Sequence, residues 1–171
     1  MAALNFIGAM GTIIEDISNI LKTDEVLSLY KFFPTEQVIK FTMEQGELEN
    51  DDLFVEYGVT FPCTTVHLIT RKESNESNNC GGLQFDYTTP GRVIFWIEPE
   101  GDESIPSLDE IGERIEYKLK QEKEDLFNDY VVEWSFEEAY QSSYDLPVYK
   151  TIKTVAFMVI VEFEITYKVV M

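Results

Sequence analysis

The single histidine of the chain, His67, lies in the stretch CTTVHLIT, four positions after Cys63. A thiol and an imidazole are the parts of a nucleophilic couple in which the imidazole is the base. The same stretch reads as a β-strand with Cys63, Thr65 and His67 on one face, and four residues of strand rise hold the first and last roughly 13 Å apart. That is too far for proton transfer, so His67 is expected as a partly buried or surface histidine without a catalytic role.

Carboxylates offer a second chemistry. Asp51 and Asp52 are adjacent, and Glu98, Glu100, Asp102 and Glu103 cluster in one loop; such groups serve as acid–base pairs or hold hard cations. Neither set has the spacing of a calcium-binding loop. The cluster precedes a helix start, where the dipole favours acids in any case, so a solvated acidic loop is the expectation. Cys63 and Cys80 bring no further ligands at metal spacing and read as incidental thiols of a reduced, intracellular protein. Glycine-rich phosphate loops, nucleophile elbows and zinc-helix motifs are missing from the sequence. These features predict no catalytic, cofactor-binding or metal residues, no cofactor and no enzyme.

The charge balance narrows the partners. The chain carries 32 acidic and 13 basic residues, a formal net charge of -19. Such a surface repels nucleic-acid phosphates and anionic lipids, although it would suit a passage through which DNA slides without sticking. The opening stretch MAALNFIGAMGTIIEDI has no basic residue before its apolar part and reads poorly as a signal peptide. The apolar run Val155 to Val161 is too short for a membrane helix, which needs roughly 20 residues. A soluble protein made in a cytosol is the expectation.

The elements follow from apolar spacing. Ile13, Ile14, Ile17, Ile20 and Leu21 recur at helical period and predict an amphipathic first helix beginning near Leu4. A second helical stretch is expected from Thr23 to Lys31, stopped by Pro34. Strands are expected at Glu36–Glu44, Asp52–Phe61, around an acidic turn at Gly46, and at Cys63–Thr70, followed by a polar loop from Arg71 to Gly82. Val93 to Ile97 are continuously apolar, the pattern of a strand buried on both faces. Ser107 and Glu110 form a capping box ahead of the stripe Leu108, Ile111, Ile115 and Leu119, with Glu110–Arg114 and Glu116–Lys120 in the favourable i,i+4 order. Tyr130 to Phe136 is a strand, EEAYQSSYDLP a connector, and a final strand starts near Tyr149. The order predicts a single α+β domain: a mostly antiparallel sheet, helices on one face, an N-terminal helix and a C-terminal β-hairpin.

The last strand poses the sharpest question. Val161, Phe163, Ile165, Tyr167 and Val169 alternate with Glu162, Glu164, Thr166 and Lys168, one dry face against one wet face. From Tyr149 to Val169 it would run roughly 65–70 Å, beside a domain whose radius of gyration is roughly 15–16 Å. Either the strand bends at a bulge within the domain, or it projects and pairs with another chain.

GRVIFWIEP, the acidic loop, IPSLDEIGERIEYKLKQ, YVVEWSF and the closing TVAFMVIVEFEITYKV together resemble the tail terminator proteins of long-tailed bacteriophages, best from Gly91 to Met171. The match is one of element order, without a signature residue. The resemblance implies a virion protein, made in the host cytoplasm, that forms a six-fold ring capping the tail tube at the head–tail junction. Its partners would be sister copies, the tube protein and head-side connector proteins, with DNA passing through the bore unbound and no membrane involved. The row Val155, Phe157, Val159, Val161, Phe163, Ile165 and Tyr167 is the expected subunit interface. Competing readings are an acidic cytosolic binding protein (a DNA-mimic inhibitor or an immunity-type protein) and an enzyme working through a carboxylate pair.

Overall fold

A computed structural model describes residues 3–33, 62–74, 84–97, 105–146 and 154–171. The expected strands at 36–44 and 52–61, the turn at Gly46, the tip of the polar loop with Cys80, and the acidic residues at 51, 52, 98, 100, 102 and 103 lie outside the described residues. The described elements are β1 (Leu4–Asn5), α1 (Ala9–Leu21), a 3-10 turn (Leu27–Leu29), β2 (Lys31–Phe33), β3 (Cys63–Leu68), β4 (Lys72–Glu73), β5 (Gln84–Ile97), a second helix α2 (Leu108–Asp129), β6 (Val131–Leu146) and β7 (Thr154–Val170). Mixed α+β architecture is therefore present, with a curled sheet and, among the described residues, two helices.

Three long strands make the sheet. β7 lies between β5 and β6, antiparallel to both, and its last residues also take β1 as a parallel neighbour. β3 and β4 follow one another along the far edge of β5, both antiparallel to it, and β2 adds to β3 in parallel. The β5–β7 register runs without a break from Gln84 opposite Val170 to Ile97 opposite Phe157. Register shifts fall on β6 instead, at Val131/Glu133 and Phe136/Ala139.

The two faces differ as alternation demands. On one, Val66, Val93, Phe95, Val161, Phe163, Ile165 and Val169 join Ile13, Ile17 and Leu21 of α1 and Ile111, Ile115 and Leu119 of α2 in one buried cluster. Two glycines let parts of that core approach closely. A Cβ at Gly91 would lie 2.3 Å from the Phe163 ring, and one at Gly112 would lie 2.8 Å from Val159 Cγ2. The glycine on β5 thus leaves space for a ring on β7, while the glycine on α2 brings the helix down onto the sheet. On the other face, directly opposed pairs form a polar ladder: Asp86 with Lys168, Thr88 with Thr166, and Arg92 with Glu162. Towards the other end that face turns apolar, and Ile94, Trp96, Met158 and Ile160 are buried there as well.

Four expectations are corrected. Leu4 does not begin the first helix; Leu4–Asn5 is a strand, and α1 starts after Gly8, whose φ of +89° suits a residue without a side chain. Between Thr23 and Lys31 the chain makes a 3-10 turn and then enters β2, because Asp24 Oδ1 accepts from the backbone amides of Val26 and Leu27 and tightens the turn. The stretch read as a connector, EEAYQSSYDL, continues β6 to Leu146. Only half of the capping box forms: Ser107 Oγ accepts from the Glu110 amide, while the Glu110 carboxylate takes Arg114.

Candidate functional site

The expected interface row lies mostly inside the protein. Val159, Val161, Phe163, Ile165 and Tyr167 are at most 3% exposed and face the helices, so they are core and not a surface for sister copies. Phe157 alone of the described side chains in the row is substantially exposed, at 39%; Val155 belongs to β7, with its side chain outside the described residues. The projecting strand edge is also absent from Phe157 to Tyr167, where β7 has neighbours on both sides; Thr154 to Ala156 pair with β6 alone among the described residues. The physical reason is that β6 runs farther than its apolar pattern suggested and covers the edge expected to stay open.

The Cys63–His67 stripe faces away from the helices. Its chemistry is organised around Thr65, not around a thiol–imidazole couple. Trp96 Nε1 donates to Thr65 Oγ1 at 2.9 Å, and Thr65 Oγ1 stands 2.7 Å from His67 Nε2. The hydroxyl proton has two acceptors within reach, His67 Nε2 and the Ile94 carbonyl oxygen at 3.5 Å, and the oxygen can equally accept from a ring N–H, so the contact holds the imidazole in either tautomer. Burial pushes the His67 pKa down to about 4, and the charge of Arg92 opposite adds to it. Burial also pushes the Cys63 thiol up to about 12. A fully buried thiol that stays protonated is a poor nucleophile.

Across the strands, a polar row continues from His67. Arg92 on β5 pairs with Glu162 on β7 at 3.2 Å, and Tyr140 on β6 donates to the same carboxylate oxygen at 2.8 Å. That bond, to a carboxylate, raises the Tyr140 pKa. Beside the row, an open dish of about 550 Å³ crosses the ladder face, lined by Glu73, Asp86, Glu133 and Glu164 together with Ser74, Thr88, Val132 and Thr166. Sequence reasoning missed it, because its four carboxylates come from four strands and only the register unites them. Among the described residues, no group of three or more His, Cys, Asp or Glu is placed to hold a metal ion. No described helix is long and apolar enough to cross a membrane.

A smaller cleft of about 250 Å³ lies between the start of α2 and the outer part of β6, with Val159 and Gly112 beside Asp109, Glu113 and Glu116. Gln141 Nε2 donates to Asp109 across it. No family model matches the chain, and no curated protein matches it either.

Proposed function

We propose that the protein is a structural virion protein of the tail-terminator type, a single α+β domain that assembles into a ring at the end of a phage tail tube. The observation that carries this reading is the order of elements: a leading helix, a set of strands, a helix opened by Ser107 and acids, then the closing β6–β7 hairpin. That order is the one on which the resemblance rests. The net charge of -19 suits a bore through which DNA passes without adhering. Subunit contacts of such a ring would use exposed surface, two different patches meeting head to tail, and not the apolar row of β7. Electron microscopy of the purified protein, alone and with tail tubes, tests this: closed rings seated on tube ends are expected. A monomer at all concentrations that leaves tubes uncapped overturns it.

One observation favours a second reading. From Phe157 to Tyr167 the terminal strand is paired on both sides within its own chain, so this stretch no longer requires sister copies, and the acidic dish on the ladder face would suit a basic partner. This is the acidic cytosolic binding protein, and a monomer that forms a stable complex with a basic protein supports it over the ring.

A further inference from the structure

We propose that the outer edge of β6 from Ala139 to Ser143, with the cleft beside α2, takes an extended basic segment of another protein as an added strand. This goes beyond the ring reading and does not depend on it.

Among the described residues, no strand pairs with that edge. Alternate backbone groups of an edge strand point outward and remain available. Natural edges are commonly blunted by bulges, lysine or proline. In β6 both register shifts come before Ala139, and from there to Leu146 the strand runs regularly with no Lys, Arg or Pro. Ala139, Gln141, Ser142 and Ser143 are exposed, which covers both faces of the strand at this point. The protected half and the unprotected half of one strand thus differ in the devices that prevent pairing.

The cleft supplies the sign of the occupant. Side chains of an added strand alternate, so every second one would enter the space between β6 and α2. Its exposed apolar part is Ala139 of β6, with the buried Val159 and Gly112 behind it, and its rim is Asp109, Glu113 and Glu116. A lysine or arginine lays its aliphatic stem on apolar surface while its head stays with carboxylates, which fits this arrangement. Glu116 already holds Lys120, and Asp109 accepts from the neutral Gln141. A second copy of this chain suits the edge poorly, because Glu137, Glu138 and Asp145 flank the same stretch and self-pairing brings acid towards acid.

The test uses the full chain and a short labelled peptide in which lysine and threonine alternate, followed by fluorescence anisotropy, with a glutamate–threonine peptide as control. Saturable binding of the basic peptide alone is expected, weakening with salt and about tenfold in the Asp109→Asn, Glu113→Gln, Glu116→Gln variant, since each rim ion pair is worth little by itself. Hydrogen exchange should slow at alternate amides between Ala139 and Ser143 when the peptide is present. Absence of binding, equal binding of the acidic peptide, unchanged affinity in the triple variant, or protection at the dish around Glu73 and Asp86 overturns the proposal. So does concentration-dependent protection of β6 without peptide, which would make the occupant a second copy.

Discussion

β6 and β7 are neighbours of similar length that reverse the roles their patterns suggested. β7, which alternates strictly from Val161 onward, is central and paired on both sides from Phe157 to Tyr167; β6, which lacks alternation beyond Phe136, is an edge among the described residues. Alternation records which side chains are dry. It does not record whether a strand's backbone is satisfied on one side or two, because the ladder uses N–H and C=O groups that every residue other than proline carries. An apolar row therefore points to burial without saying on which chain the burying surface lies.

The largest effect that follows is on β7. Phe163 is 1% exposed, fills the space above Gly91 and meets Trp134 edge-on at 5.8 Å. Phe163→Ala should cost about 3–5 kcal/mol, read from denaturant melts; a loss below about 1 kcal/mol would break the assignment of this row to the core. For the same reason, cutting the chain after Val161 removes core residues and should unfold the protein.

Next comes acid. His67 sits at the closed end of the polar row that reaches Tyr140 on β6, and its pKa falls from 6.5 to about 4 on folding. A lowered pKa means that the folded state prefers the neutral ring, so the contribution is complete above pH 6.5 and is lost as pH falls towards 4. The full difference amounts to about 3 kcal/mol. Stability profiles of the wild type and His67→Gln should therefore diverge over that interval, and parallel profiles would place the ring in water.

The two halves of β6 can be compared directly. Tyr130, at its foot, donates to Asp16 of α1 at 2.7 Å and is 4% exposed, whereas Tyr140 donates to Glu162 on the open face. Burial and the bond to a carboxylate hold the Tyr130 hydroxyl well above its ordinary range. Tyr130→Phe should cost about 1–2 kcal/mol, since it leaves a carboxylate short of a donor in a crowded site; Tyr140→Phe should cost less. Equal losses would mean that the outer half of β6 is as enclosed as its foot. Smallest of all, Ser142→Ala should change stability by no more than about 0.5 kcal/mol, measured by the same melts.

Much of the fold was legible. The stripe Ile111, Ile115 and Leu119 and the row from Val161 to Val169 are buried as their periods required, and Val93 to Trp96 are covered on both faces. The ion pairs Glu110–Arg114 and Glu116–Lys120 form as spaced. What failed to show was decided by distant partners. Leu4–Asn5 is a strand because the end of β7 is there to receive it, and QSSY continues β6 because β7 supplies the ladder for residues with little apolar signal of their own. The candidate surfaces were illegible for the same cause. Glu73, Asp86, Glu133 and Glu164 are scattered in sequence and converge only through register, and the cleft by Asp109 forms where the start of α2 meets Ala139 to Gln141 of β6, some thirty residues on in the chain.

The pairing of β5 with β7 also sets a timetable. During synthesis the ribosome delivers Val93 to Trp96 long before Phe157 to Val161 emerge to sit beside them, so a sticky segment must wait for its neighbour while a helix and another strand are made. Contacts this remote along the chain slow folding, and an apolar ribbon paired by β3 on one edge only is open on the other to capture by other nascent chains in the meantime. Expression at low temperature or with a holdase chaperone should therefore raise the yield of native protein more than any change at the surface.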